Sequence, residues 1–272
     1  MMPPTAAATP GAGTAPRRLP QALRRTGVVL RSLLAFIAFW WLMAAWNANP
    51  IQLPDPLRVA LAMAQLTRDG EVLEHASVSV ARLAISLVVA TLLAVPLGFL
   101  MGMSRRAEAY LDPVVELLRP ISGIAWIPLA LFIFGVGNTL PVFIMVYVGF
   151  FPLLLNTVAG VKGVDPRLLA AARTMGVPQP AIVRHVVIPA ALPTVMVGLR
   201  LAFAGAWTAV VAAELIGAPS GLGFAIEWYR QLLMSPKVFG FIAIIGLVGF
   251  LCDLGLRALQ RWLTPWAEGT GL

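Results

Sequence analysis

Residues 170–193 read AAARTMGVPQPAIVRHVVIPAALP. The segment carries two arginines, a histidine and four prolines, and it stands between two long apolar runs. Just ahead of it, Asp165-Pro166 is a helix start, with Asp as N-cap and Pro at the first helical position. Arg167–Met175 then makes about two and a half turns. Gly176 is placed to end that helix, and Pro178 and Pro180 oppose its continuation. Leu168, Ala171, Ala172 and Met175 share one face. A second rise, 181–188, leads through Pro189 into the next apolar run. A short capped helix at the rim of a membrane domain has two physical readings: it rests on headgroups, or it docks another protein.

The composition makes a membrane domain the setting. The chain has 272 residues, 59% hydrophobic and 12% charged, with mean hydropathy +0.86. A soluble domain carries roughly 25% charged residues. Six apolar runs have the length to span, at 28–46, 77–102, 114–134, 139–160, 190–216 and 238–258. Each approaches the ~20 residues that cross a ~30 Å hydrocarbon core. The expected fold is therefore an all-α, polytopic bundle of six transmembrane helices. Residues 1–27, rich in Ala, Pro, Gly and Thr and then basic, form an expected disordered tail. The membrane domain is expected over 28–264 and a C-terminal tail over 265–272. A basic stretch before 28–46 also fits a signal peptide. The length of the run, its three tryptophans and the poor cleavage site after it favour a span. In the connection 47–76, Leu57, Ala60, Leu61 and Ala64 recur at helical spacing, which predicts an amphipathic helix packed over the bundle.

Charge sets the expected direction. The net charge is +8. Arg17, Arg18, Arg24 and Arg25 of the tail, Arg105 and Arg106, the 162–184 segment and the C-terminal Arg257 and Arg261 fall on one side. The other side has few basic residues, diluted by Asp55, Asp69, Glu71, Glu74 and Glu227. Both termini and the short helix are thus expected in the cytoplasm. The same bias accounts for the positive charge without nucleic acid.

Several polar residues lie inside the apolar runs. In 190–216, Gly198, Ala202 and Ala206 form one small-residue ladder, and Gly205, Ala209 and Ala213 a second, which lets neighbouring helices approach closely. Arg200, Trp207 and Glu214 are spaced seven apart, nearly on one face and about 10.5 Å apart along the axis. A charge near mid-depth costs at least ~2.5–3.5 kcal/mol, so Arg200 needs a carboxylate, a helix end or a water-filled passage. Glu214, nearer the outer end, suits contacts at an interface or gate, and Trp207 suits packing. Ser79, Arg82 and Ser86 make a shorter stripe, from which Arg82 either snorkels to headgroups or faces the passage. Asn156 is expected to bond a neighbouring helix. Gly217, Gly221 and Gly223 permit tight turns before a short amphipathic helix over 224–233.

No phosphate-binding G-x-x-x-x-G-K-[ST] loop is present, so ATP hydrolysis is not expected of this chain. His75 and His185 are far apart and on opposite expected sides, without metal-ligand spacing. Cys252 is the single cysteine, so no internal disulfide forms.

The short helix and its sequel resemble a pattern in the membrane subunits of ABC importers: Glu-Ala-Ala, three residues, Gly, nine residues, Ile-x-Leu-Pro. Here Ala170-Ala171-Ala172, Gly176 and Val186-Val187-Ile188-Pro189 keep that spacing throughout. Ala170 stands where the pattern has Glu, and Val186 and Ile188 are conservative replacements. RPISGIAWIPLALFIFGVGN, GFFPLLLNTVAGV and GLRLAFAGAWTAVVAAELIGAPSGLGF extend the likeness over about 70–260, to the permeases of the nitrate/sulfonate/taurine group. The resemblance implies a type I, MetI-like bundle that works as a homodimer with two cytoplasmic ATPases and an extracytoplasmic substrate-binding protein. The partners would use ATP and Mg, and this chain would bind no cofactor. It also implies that Ala170, Ala171, Ala172, Arg173, Gly176, Ile188 and Pro189 couple the bundle to the ATPase. Arg82, Arg200, Trp207 and Glu214 are candidates for the translocation path. The loop around 217–233 would form an outer gate. An amino-acid permease on the same fold, an ion-coupled secondary transporter and a membrane enzyme are the alternatives.

Overall fold

The protein is described from a computed structural model over residues 21–47 and 49–267, the side chains of 21–27, 29 and 30 excepted. Most of the expected tail, 1–20, and the last residues, 268–272, lie outside the described residues. The described chain is helical, with no strand among the described residues. Its two parts, up to Pro56 and from Leu57 onward, are separate compact units. The first contains α1 (Gln21–Asn47), which starts seven residues ahead of the expected span 28–46 and covers it.

The second unit holds α2 (Pro56–Arg68), α3 (Glu71–Met103), α4 (Arg105–Leu118), α5 (Ile127–Phe134) and α6 (Thr139–Lys162). It continues with α7 (Pro166–Thr174), α8 (Gln179–Ile182), α9 (Ile188–Gly217), α10 (Leu222–Gln231) and α11 (Ser235–Leu263). Among the described residues, four helical stretches are long and apolar enough to cross a membrane: 71–103, 139–162, 179–217 and 235–263. A fifth is possible if α4 and the 123–134 helix count as one span, bent by 82°.

That bend corrects the expectation of one straight span over 114–134. Pro120 lacks the N–H that would continue α4. At the break the Leu118 carbonyl accepts the Ile121 N–H at 3.1 Å and the Tyr147 hydroxyl at 2.7 Å. The fifth expected span is also longer than read. Its prolines do not stop it, because α8 passes through a π-helical turn, 183–187, directly into α9. A wider turn just before Pro189 relieves the clash of its ring with the preceding carbonyls.

α3, α6 and α9 make the core. Cβ atoms added to Gly98 and Gly102 would meet Thr157 at 2.6 Å and Val161 at 2.7 Å, so α3 and α6 run parallel with backbones nearly touching. α9 runs antiparallel to both. A Cβ on Gly198 would meet that of Asn156 at 2.6 Å, and Ala202, Ala206 and Ala213 are fully buried, as the small-residue ladders predicted. Asn156, pressed by Gly198, donates its amide at 2.8 Å to Pro152 of its own helix rather than to a neighbour. α2 packs on α10 and α11, but through Val59, Ala62 and Leu66. The expected face is turned outward, with Leu57 64% and Leu61 58% exposed. Both stripes are apolar, so periodicity alone did not choose between them.

Gly198→Leu should lower the melting temperature of the purified chain in detergent, at a cost of about 1–3 kcal/mol for overpacking. Gly246→Leu, where an added Cβ meets nothing within 4 Å, should leave it unchanged.

Candidate functional site

The α3 stripe lies at the end of the bundle formed by the start of α3, the start of α6 and the close of α9. His75, Ser79, Arg82 and Ser86 fall on one face by their spacing of four, three and four. Glu214, in the last turn of α9, is fully buried against them. Its carboxylate accepts from Arg82 Nη1 at 2.6 Å, from the Ser79 hydroxyl at 2.9 Å and from the Gly223 N–H at 2.9 Å. Arg82 is 3% exposed. Its Nη1 also donates to the Ser220 carbonyl at 2.6 Å, and its Nη2 to Asn138 Oδ1 at 2.5 Å and Ser220 Oγ at 3.0 Å.

The same residues cap α10. Gly221, Leu222 and Gly223 donate their backbone N–H groups to His75 Nδ1 at 3.3 Å, Ser79 Oγ at 2.9 Å and Glu214 Oε2 at 2.9 Å. These are the donors a helix start leaves unpaired, and the carboxylate also sits at the positive end of the helix dipole. Gly221 has φ +112°, and an added Cβ there would collide with the Glu214 carboxylate. Farther along α10, Tyr229 donates to Glu71 of α3 at 2.5 Å. Burial, and then that carboxylate, push its phenol well above its ordinary range. Hydrogen bonds from Arg230 and Gln231 hold the carboxyl of Glu227 at about 2.

Arg82 therefore neither reaches for headgroups nor stands open: it is bound within the chain to Glu214. Each partner's depth was legible, but their meeting was not, and Asn138 and Ser220 were missed. The signal was the GVGN and GAPSG glycine turns, both at the same expected end as Arg82. Trp207 stacks on Phe203 with ring centroids 6.4 Å apart, and its indole packs against Gly249 of α11. Arg200, at mid-helix, is a different case. Its Nη2 lies 3.5 Å from Asp253 of α11, its side chain is 34% exposed, and its buried Nε has no hydrogen-bond partner. Asp253 is also held by Arg257 at 2.7 Å. The lone acidic residue of the last apolar run was the overlooked signal for that contact.

At the opposite end of the bundle, α7 forms as expected. Asp165 accepts the Arg167 N–H at 2.8 Å, and Pro166 opens the helix. It closes in a Schellman motif: Val177 N–H donates to the Ala172 carbonyl at 3.1 Å and Gly176 N–H to that of Arg173 at 3.0 Å. Gly176 supplies the required positive φ, +72°. Ala172 is buried with Ile182, Val187 and Ala191, which seats α7 on the foot of α9. Ala170, Ala171 and Arg173 are exposed, as are the apolar Leu168 (53%) and Met175 (74%). Ile188 is exposed and Pro189 half-buried.

The sequence model of the binding-protein-dependent transport system inner membrane component family matches residues 94–268. The chain belongs to that family. It is a multi-pass permease subunit of an ABC importer, as the resemblance at α7 implied. It is 35% identical to the taurine transport system permease protein TauC of Escherichia coli (strain K12) over 249 residues, 89% of this chain and 90% of that one. It is 33% identical to the putative aliphatic sulfonates transport permease protein SsuC of Bacillus subtilis (strain 168) over 266 residues, covering 94% and 96%. It is 32% identical to the bicarbonate transport system permease protein CmpB of Synechococcus elongatus over 247 residues, covering 86% and 88%. Solved structures share the fold at lower identity. An amino acid ABC transporter aligns over 74% of this chain and 96% of its own, with TM-score 0.59 and 18% identity. The MetNI methionine ABC transporter aligns over 66% and 92%, with TM-score 0.54 and 19% identity.

Removing one partner of a buried, hydrogen-bonded ion pair strands the other charge, which costs about 3–5 kcal/mol. Glu214→Ala and Arg82→Ala should each lower the thermal midpoint of the purified permease sharply. The double variant Arg82→Met/Glu214→Leu should melt above either single one. Equal melting of all three would mean the pair carries no such energy.

Proposed function

We propose that this permease moves a small oxyanion, such as a sulfonate, taurine, nitrate or bicarbonate, inward across a bacterial inner membrane by alternating access. It works as a homodimer with two cytoplasmic ATPases and an extracytoplasmic binding protein. No covalent chemistry occurs in this chain, and the partners use ATP and Mg. Both termini and α7 face the cytoplasm, in line with the distribution of basic residues. The Arg82–Glu214 end then faces outward.

The observation that carries the reading is α7: a rod capped at both ends, seated on α9, with an exposed Leu168–Met175 face bordered by Arg173. An ATPase groove that closes on this rod moves the foot of α9 and, with it, the bundle. The named relatives act on taurine, aliphatic sulfonates and bicarbonate, which supports an anionic cargo. Arg200 suits that cargo, because its guanidinium is half-buried and its terminal nitrogens make one long contact, to Asp253 at 3.5 Å.

Reconstituted in liposomes with its ATPase and binding protein, the chain should take up the anion only when ATP is supplied. Gly176→Val should uncouple hydrolysis from uptake without unfolding the bundle. An added Cβ at Gly176 meets nothing, so the cost is the left-handed backbone alone, about 1–2 kcal/mol. Undiminished coupled uptake by this variant would remove α7 from the coupling path. Arg200→Ala should depress uptake of an anion more than that of a neutral analogue. Equal losses would assign Arg200 a structural role.

A further inference from the structure

Two glycine-containing loops meet at the Arg82 end of the bundle. One, 135–138, joins α5 to α6, and the other, 218–221, joins α9 to α10. Few contacts hold them together. Gly137 N–H donates to the Gly217 carbonyl at 2.9 Å. Arg82 bridges them: Nη2 binds Asn138 of the first loop at 2.5 Å and the Ser220 hydroxyl of the second at 3.0 Å, and Nη1 binds the Ser220 carbonyl at 2.6 Å. Beneath them the Arg82–Glu214 pair is sealed inside protein, whereas Asn138 is exposed and Ser220 half-buried. The network thus has a fixed base and a rim exposed enough for water to replace its bonds.

We infer that Arg82 is a clasp: it holds the two loops shut in one state of the transport cycle and releases them in the other, while its salt bridge to Glu214 persists. Geometry assigns the moving side. Glu214 is surrounded by donors from α3 and α10 and cannot leave without stranding a buried carboxylate, so the base stays. The rim bonds end on neutral acceptors that water can serve at little cost. Gly135, with φ +69° and open space around its α-carbon, and Gly221, with φ +112°, lie in or beside the two loops. Parting the loops would open a way to the middle of the bundle from the side opposite α7. The clasp rests on the permease reading above, and it makes Arg82 a positioning residue rather than a ligand for the cargo.

The test is to replace release with a covalent bond. Asn138 and Ser220 touch the same nitrogen, so their side chains are within reach of a short bis-methanethiosulfonate bridge. The double variant Asn138→Cys/Ser220→Cys is made in a Cys252→Ala background and reconstituted with the ATPase and binding protein. Bridging should lower ATP-driven uptake at least tenfold, and dithiothreitol should restore it in the same vesicles. The bridged protein taking up cargo as fast as its reduced form would show that the loops never part, and would overturn the clasp. Wild-type vesicles run beside it separate the two ideas: their failure to show ATP-driven uptake would sink the importer reading itself.

Discussion

Lipid tails are as apolar as leucine, so helices in a membrane gain nothing by turning apolar surface toward one another. What holds α3, α6 and α9 together must be shape and polar contact. The glycines and alanines of the three helices supply the shape, bringing backbones within the reach of a single missing Cβ at Gly98, Gly160 and Gly198. Everything functional is arranged around that tight triple. α7 docks on the foot of α9, α10 is capped by α3 and by the close of α9, and Arg200 sits midway. A looser core would leave these two ends mechanically independent.

The link between the ends is one element. The stretch from Gln179 to Gly217 is a 39-residue helical rod, with α7 at its start and Glu214 in its last turn. It contains a π-helical turn at 183–187, within the stretch from Ile182 to Ala191 on which α7 is seated. Wide turns of this kind mark places where a helix pivots or functions. The residues that seat α7, Ile182, Val187 and Ala191, lie before, in and beyond that turn, and the same rod ends at Glu214, which caps α10.

The architecture was legible in the sequence where the signal was local. The caps of α7 came from Asp165, Pro166 and Gly176, each of which acts through its own backbone. The ladders on α9 came from residue size at four-residue spacing. Misreadings came where distant residues decide. The fifth span was read as starting at 190, because its continuation back through Pro189 to Gln179 depends on the π-helical turn at 183–187, which no propensity encodes. The face of α2 was reversed because Val59 and Leu66 compete with Leu57 and Leu61 on equal terms until α11 is in place. Arg82 and Glu214 were each noticed and each assigned separately, since a salt bridge across 132 residues leaves no mark on either residue's neighbours.

The two intramembrane arginines occupy different environments. Arg82 has every terminal N–H direction occupied: a carboxylate, a carbonyl, an amide oxygen and a hydroxyl all lie within 3.0 Å. A cargo anion could bind its terminal nitrogens only by displacing Glu214, and the cost of an unpaired buried carboxylate opposes that. Arg200 has one long contact, shared with an aspartate that Arg257 already neutralises in part. An anion approaching Arg200 displaces little and meets a charge that its surroundings have not cancelled. The two arginines share an unpartnered buried Nε and differ at their terminal nitrogens, which are fully engaged in Arg82 and make one long contact in Arg200.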